Sequence, residues 1–95
     1  MFLTYDDEAD ALYVYVQGLP GGKGQVARSE ILQAGPTADL DVEGRLLGLE
    51  VLGASHGVHF GDVVERFGLD AGWNERLRSI ERMRFTPSIR AVTPD

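Results

Sequence analysis

The sequence predicts an α+β fold: a four- or five-stranded antiparallel β-sheet followed by one or two C-terminal helices that pack on it. Three observations lead there. Residues 5–16 (YDDEADALYVYV) and 40–51 (LDVEGRLLGLEV) repeat one pattern, with Asp6 matching Asp41, Glu8 matching Glu43, Leu12 matching Leu47 and Val16 matching Val51. Each copy is an apolar residue, an acidic turn and an alternating apolar strand, the pattern of a β-hairpin. Past residue 57 the apolar period lengthens from two to the three or four of a helix. With 95 residues, 43% hydrophobic and 25% charged, the chain has the size and composition of one domain. The sheet is expected in residues 1–53, helix in 58–85 and a loose tail over 86–95.

Phe2 to Tyr5 makes a short first strand. Asp6-Asp7-Glu8-Ala9-Asp10 is a turn, rich in side chains that hydrogen-bond their own backbone. From Ala11 to Gln17 apolar residues alternate: Leu12, Val14 and Val16 face one way, Tyr13 and Tyr15 the other. Their β-branched and aromatic content favours strand over helix. Residues 18–24 (GLPGGKG) form a connection. They resemble a phosphate loop only superficially, because no Ser or Thr follows the Lys and no helix comes after. Val26 to Leu32 is a weaker third strand, with Val26, Arg28 and Glu30 on one face, and Gly35-Pro36 breaks it.

Thr37 to Val42 is the fourth strand, with Ala38, Leu40 and Val42 inward. Val42-Glu43-Gly44 is a three-residue hairpin loop with Gly44 left-handed. Leu46 to Leu52 is the fifth strand, with Leu47, Leu49 and Val51 inward. Phe60, Val63, Val64 and Phe67 fit a short helix that Gly68 stops. Asp70 caps a second helix, in which Trp73, Leu77, Ile80 and Met83 make one apolar stripe. Thr86-Pro87 ends it.

The net charge of −6 is uneven. Residues 1–52 hold Lys23, Arg28 and Arg45 against nine acids, whereas residues 53–95 hold six Arg and six acids. An acidic sheet half lacks the positive field that phosphates require, which argues against nucleic acid as a partner. Cys is absent, so thiolate metal sites and disulfides are excluded. No apolar run reaches the ~18 residues of a membrane span, and MFLTYDDEAD lacks the order of a signal peptide. A cytoplasmic protein is expected.

The run Tyr5, Asp6, Glu8, Ala9, Asp10, Ala11, Leu12 and Tyr13, followed by Asp41, Glu43, Gly44, Arg45, Leu46, Gly48, Leu49 and Glu50, resembles the opening motif and second hairpin of domain of unknown function 2283. This is a widespread family of small prokaryotic proteins. The resemblance spans residues 3–55 and leaves the segment from His56 onward uncovered. It implies a sheet fold and no established activity. Because genes of this family often lie beside those of small toxin-like proteins, it also implies an antitoxin-like or partner-binding role.

Several constellations compete with these bland readings. From Asp39, acids fall at loop positions 1, 3, 5 and 12, with Gly at 6, which is the spacing of an EF-hand calcium loop with Asp39, Asp41, Glu43 and Glu50 as ligands. Gly35-Pro36 breaks the entering helix and three glycines break the exiting one, so the segment reads as a hairpin. The acids Asp6, Asp7, Glu8 and Asp10 could hold a cation, but turn chemistry explains them. His56 and His59 have metal-compatible spacing, with only Asp62 nearby. No catalytic set or cofactor site can be assembled. Arg76, Arg78, Arg82 and Arg84 on the second helix suit either a solvated face or an acidic partner.

The expectation is therefore a non-catalytic protein-interaction module whose partner-binding candidates are Tyr13, Tyr15, Arg78 and Arg82. The alternatives are an antitoxin-like partner of a small toxin, and a small enzyme or cation-binding domain using acidic turn residues. Tyr13, Tyr15, Leu46 and Leu52 share the face parity opposite to the core. Their apolar patch calls for cover, and a homo-dimer is the commonest cover.

Overall fold

A computed structural model describes residues 2–17 and 25–88. Its strands are β1 (Phe2–Asp6), β2 (Ala11–Tyr15), β3 (Arg28–Ile31), β4 (Thr37–Leu40) and β5 (Leu46–Leu52). A 3₁₀ turn (Ala54–His56), helix α1 (Val63–Arg66) and helix α2 (Gly72–Glu81) follow. The described strands form one antiparallel sheet in the order β1-β2-β5-β4-β3. The arrangement is α+β, as the sequence predicts. The connection 18–24 lies outside the described residues. Among those described, no helix is long and apolar enough to cross a membrane.

The sequence repeat has a geometric meaning. Val14 and Leu49, equivalent in the repeat, are also direct partners across the β2–β5 ladder. Leu12 pairs with Val51, and the repeat mates of that pair, Leu47 and Val16, meet through Val16 N–H donating to the Leu47 carbonyl at 2.9 Å. The two hairpins are therefore related by a local pseudo-two-fold axis through the middle of the sheet. Their turns match as well. Asp6 Oδ1 accepts the amides of Glu8 (3.0 Å) and Ala9 (3.2 Å), and Asp41 Oδ1 accepts those of Glu43 (3.0 Å) and Arg45 (2.8 Å). Gly44 takes the positive φ (81°) that the second loop needs.

One sheet face carries the core. Leu12, Val14, Ala38, Leu40, Leu46, Leu49 and Val51 cluster there with Val58, Phe60, Val63, Trp73, Leu77 and Ile80 from the helical half. Two expected inward residues do not belong. Val42 is 86% exposed, because β4 ends at Leu40 and the chain has already turned at Asp41. Leu47 is displaced by a β-bulge: Asp39 faces Gly48, but Leu40 faces Leu46, which leaves Leu47 as the extra residue. A bulge reverses side-chain parity beyond it, so Leu46, expected on the outer face, is buried in the core. The third strand starts later than expected, at Arg28.

Helix α2 buries Trp73, Leu77 and Ile80, while Met83 lies past its end and is exposed. Asp70 meets α2 chiefly through its carbonyl, which accepts the Trp73 amide at 2.9 Å. Glu81 accepts the Phe60 amide at 2.9 Å and so ties α2 to the loop before α1. The segment after α2 returns to the first hairpin. Phe85 packs its ring on Tyr5 at 5.0 Å, and Ser88 donates its amide and hydroxyl to Asp7 at 2.9 and 2.6 Å. The expected loose tail is thus anchored as far as Ser88.

Candidate functional site

The residues that carry the sequence motif turn out to hold the fold together. Asp10 takes a left-handed backbone (φ 52°), the only non-glycine to do so among the described residues. Such a conformation persists where the surroundings over-determine it, and here they do. Tyr5 Oη donates to Asp10 Oδ1 at 2.6 Å, and Ser55 donates its amide to Oδ1 (3.0 Å) and its hydroxyl to Oδ2 (2.6 Å). The Asp10 carbonyl also accepts the amides of Gly53 (2.9 Å) and Ala54 (3.1 Å). The Ser55 and Tyr5 hydroxyls hold the Asp10 carboxyl below its ordinary range. Burial and the hydrogen bond to Asp10 push Tyr5 up to about 12.

A second network lies on the opposite sheet face. Tyr13 Oη donates to Asp39 Oδ2 at 2.8 Å, and Ser29 Oγ donates to Asp39 Oδ1 at 2.6 Å. Burial first, and the Asp39 bond second, raise Tyr13 well above the usual phenol range. The ring occupies the space above Gly48, where a Cβ would sit 2.5 Å from Cε1 and Cζ of Tyr13. Gly48 is thus the gap that Tyr13 fills. Tyr15 packs beside Tyr13 (ring centroids 4.7 Å) and against Phe2 in an edge-to-face contact at 5.6 Å.

Among the described residues no helix lies on this face. The ladder registers place Thr4, Tyr13, Glu50, Thr37 and Ile31 in one row, Phe2, Tyr15, Gly48, Asp39 and Ser29 in the next, and Asp6, Ala11 and Leu52 in a third. Phe2 (44%), Leu52 (70%) and Ile31 (84%) are exposed there. None of these residues is Lys or Arg. Glu50 is half-buried in the central strand and pairs with no cation among the described residues. Beside it lies a recess of about 260 Å³, bounded by Thr4, Asp6, Ala11, Tyr13 and Glu50. Its cause is Ala11, the smallest side chain in its surroundings.

Of the partner-binding candidates, Tyr13 is only 7% exposed and Tyr15 is half-buried, both on the open face. Arg78 on α2 and Arg82 at its C-cap are exposed, and α2 packs against the other face. The sheet therefore separates the two pairs. Asp39 to Glu50 spans a hairpin rather than two helices, and its acids are dispersed. Asp39 is bound by Tyr13 and Ser29, Asp41 by the turn and by Arg45 (2.9 Å), and Glu43 by Arg45 (3.4 Å). Hydrogen bonds from Arg45, the backbone amide foremost, keep Asp41 below the ordinary carboxylate range. His56 ends the 3₁₀ turn and His59 sits in the next loop, both exposed. Among the described residues no three His, Asp or Glu gather as metal ligands. A groove of about 480 Å³ runs between Ser55–Gly57 and Met83–Thr86. Sequence reasoning missed Ser29, Ser55, Glu81 and Ser88, because each bonds a residue well separated in the chain and no local pattern signals such a pair.

The family model for a protein of unknown function (DUF2283) matches residues 3–55. The chain belongs to that family. The match covers the five strands and ends at Ser55, the residue that closes the Asp10 network. No curated protein and no solved structure matched the chain.

Proposed function

We propose that this protein is a small, non-catalytic protein-interaction module whose contact surface is the open sheet face. The observation that carries this reading is the exposure of Phe2 and Ile31 on the two edge strands and of Leu52 at the end of β5, on one face that no helix covers among the described residues. Exposed apolar groups on an uncovered sheet face support an interaction surface. The chemistry of the titratable groups supports it too. Asp10, Asp39 and Asp41 are engaged by turns and hydroxyls of the fold. The Ser29 and Ser55 hydroxyls donate to carboxylates, with no histidine placed to accept a proton from them as a nucleophile requires. An antitoxin-like role is the special case in which the partner is a small toxin.

The test is capture of partners by the tagged full chain in its native cell, repeated with two variants. A specific protein retained by the wild type and by Arg78→Glu/Arg82→Glu, but lost from Leu52→Asp, is the expected result. Loss on the arginine variant alone would move the contact surface to α2. Capture of no protein, together with a hydrolase activity abolished by His59→Ala, would replace the reading with an enzyme.

A further inference from the structure

Resting on the open face as the contact surface, we propose that the recess at Ala11 receives an arginine or lysine side chain of a partner protein. The recess arises from register. Ala11 pairs with Asp6 on one side and Leu52 on the other, and Tyr13 stands two residues along the same strand. A methyl group among taller neighbours leaves a hole of about 260 Å³. That is smaller than the roughly 300–1,000 Å³ of pockets built for drug-sized molecules, and it fits one long side chain.

The walls define the guest. Glu50 brings a carboxylate with no cation partner among the described residues, and Asp6, whose Oδ1 accepts the turn amides, brings a second carboxylate to the lining. Among the described residues no Lys or Arg shares the face. The rest of the lining is Thr4, the Tyr13 ring and the Ala11 methyl, with Leu52 opposite Ala11 on the neighbouring strand. A guanidinium suits this mixture, because it pairs with carboxylates, lies against aromatic rings and carries an apolar stem. A bare divalent ion does not, because hard cations collect six or more oxygen ligands and two carboxylates are offered.

A second copy of this chain laid face to face is the poorer occupant. A face-to-face two-fold dimer would bring Asp6, Asp39 and Glu50 of both copies into one contact, with no base among the described residues of this face to answer them. Like charges across a contact select against it. The complement is a basic surface with an apolar residue next to its cation, which can cover Leu52 or Tyr15.

Random peptide display against the folded full chain tests this, with selected peptides measured against wild type, Glu50→Gln and Ala11→Leu. Glu50 makes no ion pair among the described residues and Ala11 lies on the outer face, so both variants should keep the wild-type melting curve. The expected peptides contain Arg or Lys beside an aliphatic or aromatic residue. Their affinity should fall about tenfold or more on Glu50→Gln, on Ala11→Leu, and on replacing the peptide arginine by neutral citrulline. Peptides that bind all three proteins alike, or that tolerate citrulline, would overturn the recess while leaving the open face as the contact surface if Leu52→Asp still abolishes them. Peptides lost only on Arg78→Glu/Arg82→Glu would overturn both. Self-association of the free protein, abolished equally by Glu50→Gln and by Arg78→Glu/Arg82→Glu, would replace the outside partner with a second copy.

Discussion

At the scale of single residues, two side-chain networks decide most of what can be tested. Asp10 closes the first turn against Ser55 and Tyr5. Its folded carboxyl is held below the ordinary value of 3.8, and Asp41 behaves likewise. A depressed acid contributes stability that is present above the unfolded value and lost as pH falls through the folded one. Tyr5 runs the other way: raised from 10.0 to about 12, it contributes stability that is present below the unfolded value and lost between about pH 10 and 12. Thermal melts should therefore be level through the neutral range, fall below about pH 4 and fall again above about pH 10. Asp10→Asn should shallow the acid limb and Tyr5→Phe the alkaline one. An acid limb unchanged in Asp10→Asn would show that the network carries no linkage. Gly48→Ala should cost about 1–3 kcal/mol in urea unfolding, because the new methyl overlaps the Tyr13 ring. The loss should shrink when Tyr13→Val removes the ring first, and strict additivity of the two changes would refute the contact. Little of this was legible in advance. Asp10 and Ser55 lie 45 positions apart, and nothing local in a sequence links an acid to a distant serine. The contact of Tyr13 with Gly48 follows only from the register, which pairs their strands.

At the scale of elements, alternation gave the strands and failed at two places: β4 ends before Val42, and a bulge shifts the parity of β5. Period-two reading assumes an unbroken ladder. The bulge at Leu47 inserts a residue, so Leu46 inherits the core position that parity assigns to Leu47. The expected consequence is an asymmetry between neighbours. Leu46→Ala should destabilise by about 2–5 kcal/mol, the usual range for a buried leucine, and Leu47→Ala by less than half as much. Equal losses in denaturant melts would mean that the bulge is wrongly placed. Helix α2 was legible through Ile80 because its stripe follows the 3.6 period, and the stripe ends before Met83 because the helix does. The anchor at Ser88 was hidden, since a serine after a proline reads as an exit rather than a clasp.

At the scale of the molecule, the sheet is a partition between two chemically different sides. One side is filled by the helical half, and the other carries exposed apolar groups, carboxylates and no base among the described residues. The sequence halves differ in charge, but only the registers show that the acids Asp39 and Glu50 gather on the uncovered side with the tyrosines. The two-hairpin architecture also sets an order of events. Each hairpin closes over a few residues, whereas the β2–β5 ladder joins Tyr15 to Gly48, a far longer loop with a larger entropic penalty. Docking of the preformed hairpins is thus the slow step in acquiring the native state, and the helical half settles on the finished sheet. Stopped-flow refolding should show Leu49→Ala slowing the folding limb, while Ile80→Ala chiefly accelerates unfolding. A refolding rate slowed as much by Ile80→Ala as by Leu49→Ala would place α2 in the nucleus instead. With docking last among the strand pairings, each hairpin must wait with its central edge bare, and the β2 and β5 edges are where a stalled chain is most open to pairing with a neighbour.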